Sequence, residues 1–167
     1  TLRQKYADTP QAQQAISALR RLNLIGKPLD LGGPTLDGGF ISVADFKGSP
    51  VLVVFWSSQA VPFIEQSSAI ITATEKYEEQ GLQVIGVNLD TDESAIDAFL
   101  EKSSMGWRTV FHTAPERRGW NHPVAVHYGV TMIPQIWLVD AEGKTVTTSI
   151  ATTDLDATLA KLLPPAK

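Results

Sequence analysis

Apolar residues fall into a few bounded runs along the chain, and their spacing alternates between two periods. Near the start, Ala12, Ala15, Ile16, Leu19 and Leu22 recur at helical intervals. Thr9 is placed to cap them, Pro10 suits a first helical turn and Gly26 stops the run, so the spacing predicts a helix over 10–22. Between Gly26 and Gly48 the stretch LDLGGPTLDGGFISVADFKG sets short apolar pieces among Gly and Pro. It reads as a hairpin closed around Leu36-Asp37-Gly38-Gly39. Continuous apolar runs follow at Pro50–Trp56 and in LQVIGVNLD, the pattern of buried strands. Between them, Phe63, Ile64, Ile70, Ile71 and Tyr77 mark a long helix from Ala60 to Gln80, which Gly81 ends.

Farther along, Asp90 and Glu93 predict a capping box for a helix carrying Ile96, Phe99 and Leu100 to about Ser104. A strand is expected near Trp107–Phe111, a short helix at His122–Tyr128 and a strand in PQIWLVD. Ala141-Glu142-Gly143 then turns the chain into a returning strand, Lys144–Ile150. Leu155, Leu159, Leu162 and Leu163 give a last helix, ending at Pro164-Pro165. This order predicts an α/β chain with a central mixed sheet and helices on both faces. Right-handed crossovers leave it few topologies.

Composition narrows the functional classes. The 167 residues are 43% hydrophobic and 19% charged, enough chain to bury roughly two thirds of its unfolded surface in one main domain. A net charge of −4, with basic residues dispersed apart from Arg20-Arg21 and Arg117-Arg118, offers no basic stripe to a nucleic acid. The longest apolar run, Val51 to Trp56, falls far short of the ~18 residues of a membrane span.

The chemistry turns on residues 51–63, VLVVFWSSQAVPF. An apolar strand, an aromatic pair, a short polar turn and a proline look like the entry to a redox helix, which works through sulfur. The chain has no cysteine. With Tyr128-Gly129-Val130, Pro134, Leu138-Val139-Asp140 and Gly143-Lys144 following in order, the chain resembles a thioredoxin-fold protein of the TlpA/ResA type, the redoxin or AhpC/TSA-like group, over roughly 24–163. The segment RRGWNHPVAVHYGV adds a Gly-Trp-x-x-Pro piece similar to one found before the cis-proline in some bacterial relatives.

What the resemblance implies is a thioredoxin-like three-layer fold with an extra N-terminal helix and hairpin, thiol–disulfide exchange, and a cis peptide bond at Ile133-Pro134. It places Ala60 where the family has its attacking cysteine and Phe63 where it has the resolving one. Gln59 stands for the usual Trp, and Val54 for an acid that some relatives bury. Exchange requires a thiolate that attacks sulfur and leaves again, its pKa lowered by a helix N-terminus. Neither Ala nor Phe supplies one, and Ser57 and Ser58 lack a partnered base. No catalytic residue, cofactor or metal is therefore assigned.

By the same resemblance, a groove for an extended protein or peptide partner is expected between Trp56, Ser57, Ser58, Gln59, Ala60 and Pro62 on one side and Ile133 and Pro134 on the other. Backbone pairing there needs no thiol. The functional expectation is a redox-inactive thioredoxin-like domain, binding a protein or serving as a structural module of a larger, extracytoplasmic bacterial protein. The alternative is a thiol–disulfide oxidoreductase whose cysteines lie elsewhere in a parent chain or in a partner. Residues 1–23 are expected to form an N-terminal helical segment and 24–167 the thioredoxin-like domain. YADTPQAQQAISAL resembles the last helix of a tetratricopeptide-like repeat, which makes the chain a C-terminal piece of a longer protein; the simpler reading is an amphipathic helix packed on the domain.

Other residues invite chemistry. His112, His122 and His127 are the only histidines, but His122 and His127 lie about 140° apart on a helix, so they suit surface or capping roles better than a metal. Asp90, Asp92, Glu93 and Asp97 fit a capped helix start better than a carboxylate site. Trp107, Trp120 and Trp137 read as core or edge packing, with a ligand pocket as the other option.

Overall fold

The computed structural model describes residues 8–163. Helix α1 spans Pro10–Leu22, and the Thr9 hydroxyl caps it by accepting from the Ala12 amide at 3.2 Å. Strands β1 (Gly32–Pro34) and β2 (Phe40–Ser42) form the expected hairpin. Then come β3 (Val51–Trp56), α2 (Val61–Glu78), β4 (Gln83–Asn88), α3 (Glu93–Lys102) and β5 (Arg108–Val110). After two short 3-10 turns, α4 (Pro123–Tyr128), β6 (Gln135–Val139), β7 (Thr145–Thr147) and α5 (Leu155–Leu162) complete the order.

The five-stranded sheet runs β5-β4-β3-β6-β7, with β3, β4 and β5 parallel and β6 and β7 antiparallel to their neighbours. Strand β3 lies at the centre and all six of its residues are buried, which explains why its sequence is continuously apolar rather than alternating. Its side chains divide by parity. Val51, Val53 and Phe55 join one core layer with Leu31, Ile41, Val87, Tyr128 and Trp137, under the hairpin and α4. Leu52, Val54 and Trp56 join the other with Phe63, Ile70, Ile96 and Leu159, under α2, α3 and α5. Gly86 on β4 is required by this packing, since a Cβ there would meet the Thr109 hydroxyl at 2.6 Å and the Trp56 indole nitrogen at 2.8 Å.

The pattern overreached at two places. Asp92, not Asp90, caps α3, accepting from the Ser94 amide at 3.0 Å; Asp90 is buried and engaged elsewhere. The returning strand keeps only Thr145–Thr147, because the ladder shifts register at Leu138/Val139 and the chain then bulges away, meeting β6 again only through the Ile150 amide, which donates to the Ile136 carbonyl at 3.1 Å, and the Gln135 side chain. The expected stop at Pro164-Pro165 lies outside the described residues.

Candidate functional site

Residues at the degenerate motif are set by the ends of two neighbouring strands. The β3–β6 ladder pairs Phe55 with Gln135, so the residues leaving β3 (Trp56 to Ser58) stand beside those entering β6 (Ile133, Pro134). The Ile133–Pro134 peptide bond is cis. Ala60 is the N-cap residue of α2 and offers its helix no side-chain hydrogen bond. Ala60 and Ile133 pack against the same buried cluster.

The loop between β3 and α2 is held by one carboxylate. Asp90, 2% exposed, accepts from the Ser57 hydroxyl at 2.5 Å, from the Ser58 amide at 2.9 Å and from the Asn88 side-chain amide at 2.7 Å. Its own amide donates to the Asn88 side-chain oxygen at 2.8 Å, and the Gln59 amide donates to the Ser57 hydroxyl at 3.2 Å. A buried carboxylate with three donors is a structural clamp. The Ser57 hydroxyl gives its proton to this clamp and has no imidazole partner, so the loop carries no activated nucleophile.

At the second cysteine position, Phe63 is fully buried. Its ring lies 5.5 Å from Trp56 and 5.8 Å from Phe99, and Trp56 and Phe99 are 5.6 Å apart, a three-ring cluster of tilted pairs. The ring fills core space between α2, α3 and β3. Trp56 belongs to this cluster and is itself fully buried, so its side chain does not line a groove as the resemblance implied. Ser57 is likewise turned inward, whereas Gln59 and Pro62 are exposed.

Across the loop, the chain before the cis-proline is open. The peptide N–H and C=O groups of Thr131, Met132 and Ile133 make no hydrogen bond among the described residues. Met132 is 68% exposed, and Val61 and Ile64 on the first turn of α2 are also exposed apolar residues.

The histidines part company. His127 is exposed, with Arg20 at its ring and its backbone oxygen. His112 and His122 meet edge-on with ring centroids 4.9 Å apart, both buried rather than at the surface as expected for His112. His122 caps α4, its Nδ1 accepting from the Val124 amide at 3.2 Å, while its Nε2 has no partner among the described residues. Burial, then the neighbouring His112 and Arg117, depress the His122 pKa to about 3; burial and Arg117 also lower that of His112. No group of three or more His, Asp or Glu among the described residues is arranged to hold a metal. The tryptophans separate as well: Trp137 is core, packed on Phe55 at 4.9 Å and Tyr128 at 5.4 Å, while Trp120 is half exposed.

A central mixed sheet, a cis-proline beside the N-terminus of α2 and helices on both faces define a thioredoxin-like protein. The sequence profile of the AhpC/TSA family matches residues 25–147, and the chain belongs to that family. Among relatives, the thiol-disulfide oxidoreductase ResA of Bacillus thuringiensis subsp. konkukian is 27% identical over 111 residues, 66% of this chain and 60% of that protein. The chloroplastic peroxiredoxin Q of Gentiana triflora is 30% identical over 109 residues, 64% of this chain and 49% of that protein. The chain thus matches about half to three fifths of the length of these curated relatives. The thioredoxin domain of a thiol-disulfide oxidoreductase from Bacteroides vulgatus superposes with a TM-score of 0.71 at 27% identity, covering 82% of this chain and 96% of that one. ResA and the Bacteroides vulgatus protein are thiol-disulfide oxidoreductases by name; this chain has no cysteine.

Sequence reasoning missed the role of Asp90. Its signal was available: Asn88-x-Asp90 stands at the C-terminal end of β4, where a parallel strand delivers side chains to the functional edge of an α/β sheet. Contact between His112 and His122 had no sequence signal, because nine residues, broken into two short 3-10 turns, separate them.

Proposed function

We propose that the chain is a redox-inactive thioredoxin-like module that binds an extended segment of a protein partner along Thr131–Pro134, opposite Ser58, Gln59, Ala60 and Pro62. One observation carries this reading: three successive peptide units next to the cis-proline make no hydrogen bond among the described residues, beside a loop whose Ser58 and Gln59 amides are already bonded. An extended segment added to such an edge gains main-chain hydrogen bonds without any covalent chemistry. Exposed Met132, Val61 and Ile64 supply apolar surface around it. The absence of cysteine removes the nucleophile that exchange requires. Family resemblance supports an extracytoplasmic setting within a larger protein. No helix among the described residues is long and apolar enough to cross a membrane.

The test combines activity and binding. Purified chain is expected to give no reduction of insulin disulfides and no thiol-dependent peroxide consumption above a heat-inactivated control; turnover that scales with protein concentration refutes the inactive reading. Immobilised chain is expected to retain extended peptides, and Met132→Pro to release them. That substitution deletes an N–H that makes no internal bond, at a residue whose φ is negative, so it leaves the fold's own hydrogen bonds intact.

A further inference from the structure

Helix α1 lies outside the segment matched by the family profile, yet it is fastened to α4. Arg20 donates to the His127 carbonyl at 2.7 Å, and Arg21 donates to the carbonyls of Tyr128 (3.1 Å) and Gly129. The approach is close because residue 129 is glycine at φ +63°; a Cβ there would sit 3.0 Å from the Ala18 nitrogen and 3.1 Å from the Ser17 Cβ. Beside this contact the two helices leave a cleft of about 300 Å³. Pro10, Gln14 and Ser17 form one wall, and Trp120, Val126 and Thr131 contribute to the other. No charged residue lines it among the described residues.

Two features connect this cleft to the peptide edge. Thr131 is both a wall of the cleft and the first of the three unpaired peptide units. Trp120 sits in a 3-10 turn tied down at both ends: the Gly119 amide donates to the Asp90 carbonyl at 3.3 Å, and the His122 amide to the Gly119 carbonyl at 3.1 Å. The same Asp90 clamps the degenerate loop, so the tryptophan wall and the loop share one anchor. A volume near the lower end of small-ligand pockets, walled mostly by an indole and aliphatic groups, with neutral polar side chains such as Gln14 and Ser17 and no charged one among the described residues, suits one large apolar side chain rather than a phosphate or carboxylate.

Resting on the peptide-binding reading, we infer that this α1–α4 cleft is the specificity subsite for the bound segment, receiving a Trp, Phe or Leu side chain that lies next to the residues paired with Met132 and Ile133. In an extended segment the side chains alternate at about 3.3 Å per residue, so the edge supplies affinity and the cleft selects one position.

Selection of a phage-displayed library of random dodecapeptides on the full chain tests this. The enriched sequences are expected to share Trp, Phe or Leu at one fixed position, and replacing it with Ala in the synthetic peptide to weaken binding about tenfold or more. Gln14→Trp, filling the cleft from α1, and Val126→Glu, charging it from α4, are each expected to abolish that preference while leaving the Ala-substituted peptide's affinity unchanged. Both positions are exposed, so two independent variants guard against misfolding. Met132→Pro is expected to weaken both peptides alike. Enriched peptides that depend on Met132 but show no fixed apolar position, or that ignore both cleft variants, overturn the subsite and leave the edge reading standing. Failure to enrich any peptide, or indifference to Met132→Pro, overturns the edge reading and the subsite together. A dimer in sedimentation equilibrium that Gln14→Trp dissociates assigns the cleft to a second copy and overturns the inference.

Discussion

The two walls beside the cis-proline have opposite states. On the β3–α2 side, the loop is tied inward: Ser57 and the Ser58 amide bind Asp90, the Gln59 amide binds Ser57, and Phe63 is sealed among Trp56 and Phe99. On the Thr131–Pro134 side, three peptide units make no hydrogen bond among the described residues and Met132 is exposed. On the reading proposed above, recognition at the second wall needs only its open backbone groups, whereas the family's exchange chemistry at the first wall needs a sulfur that this chain lacks.

The contrast can be broken from the buried side. Phe63→Ala deletes a fully buried ring and is expected to cost about 3–5 kcal/mol, read as a lower urea midpoint, because its neighbouring rings, Trp56 on β3 and Phe99 on α3, belong to two other elements and collapse only partly. A loss below about 1 kcal/mol would show that the position is not core. Acid acts at a second buried position, His122. Its folded pKa, about 3, lies below the ordinary 6.5, so the unfolded chain takes up a proton that the folded chain refuses. The contribution of neutral His122 is complete above about pH 6.5 and declines as pH falls toward 3, by on the order of a few kcal/mol. His122→Asn retains a capping acceptor and is expected to flatten that decline in urea titrations; an unchanged slope would refute the assignment.

Smaller changes sharpen the comparison. Asp90→Asn replaces an acceptor of three hydrogen bonds by a group with one acceptor oxygen, and a loss of about 1–3 kcal/mol is expected in equilibrium unfolding. Its effect on peptide binding separates a clamp from a bystander: loop disorder should weaken binding, whereas intact affinity would place recognition wholly on the Thr131–Pro134 side. Smallest and opposite in sign, Ala60→Asp supplies the missing N-cap acceptor of α2 and is expected to stabilise by about 1 kcal/mol, seen as a higher melting temperature. No gain would mean that the first-turn amides of α2 are not free to accept a cap.

The hydrophobic pattern by itself determined the class of this protein. Uninterrupted apolar runs at Val51–Trp56 and Val84–Val87 require strands covered on both faces, and helical spacing between them requires crossovers, so the central sheet follows from burial alone. Local chemistry likewise determined the α1 cap at Thr9 and the hairpin around Asp37, because both are made by residues a few positions apart. The absence of cysteine was legible without any fold. Only the tertiary structure decided which polar groups are spent and which are open. Asp90 lies thirty-three residues from Ser57, and His112 reaches His122 across an irregular segment. Trp120 meets α1 in a cleft that no periodicity encodes. Hydrogen-bond satisfaction and cavity shape are properties of segments brought together from distant parts of the chain, and the local pattern that fixes each segment carries no record of its neighbour.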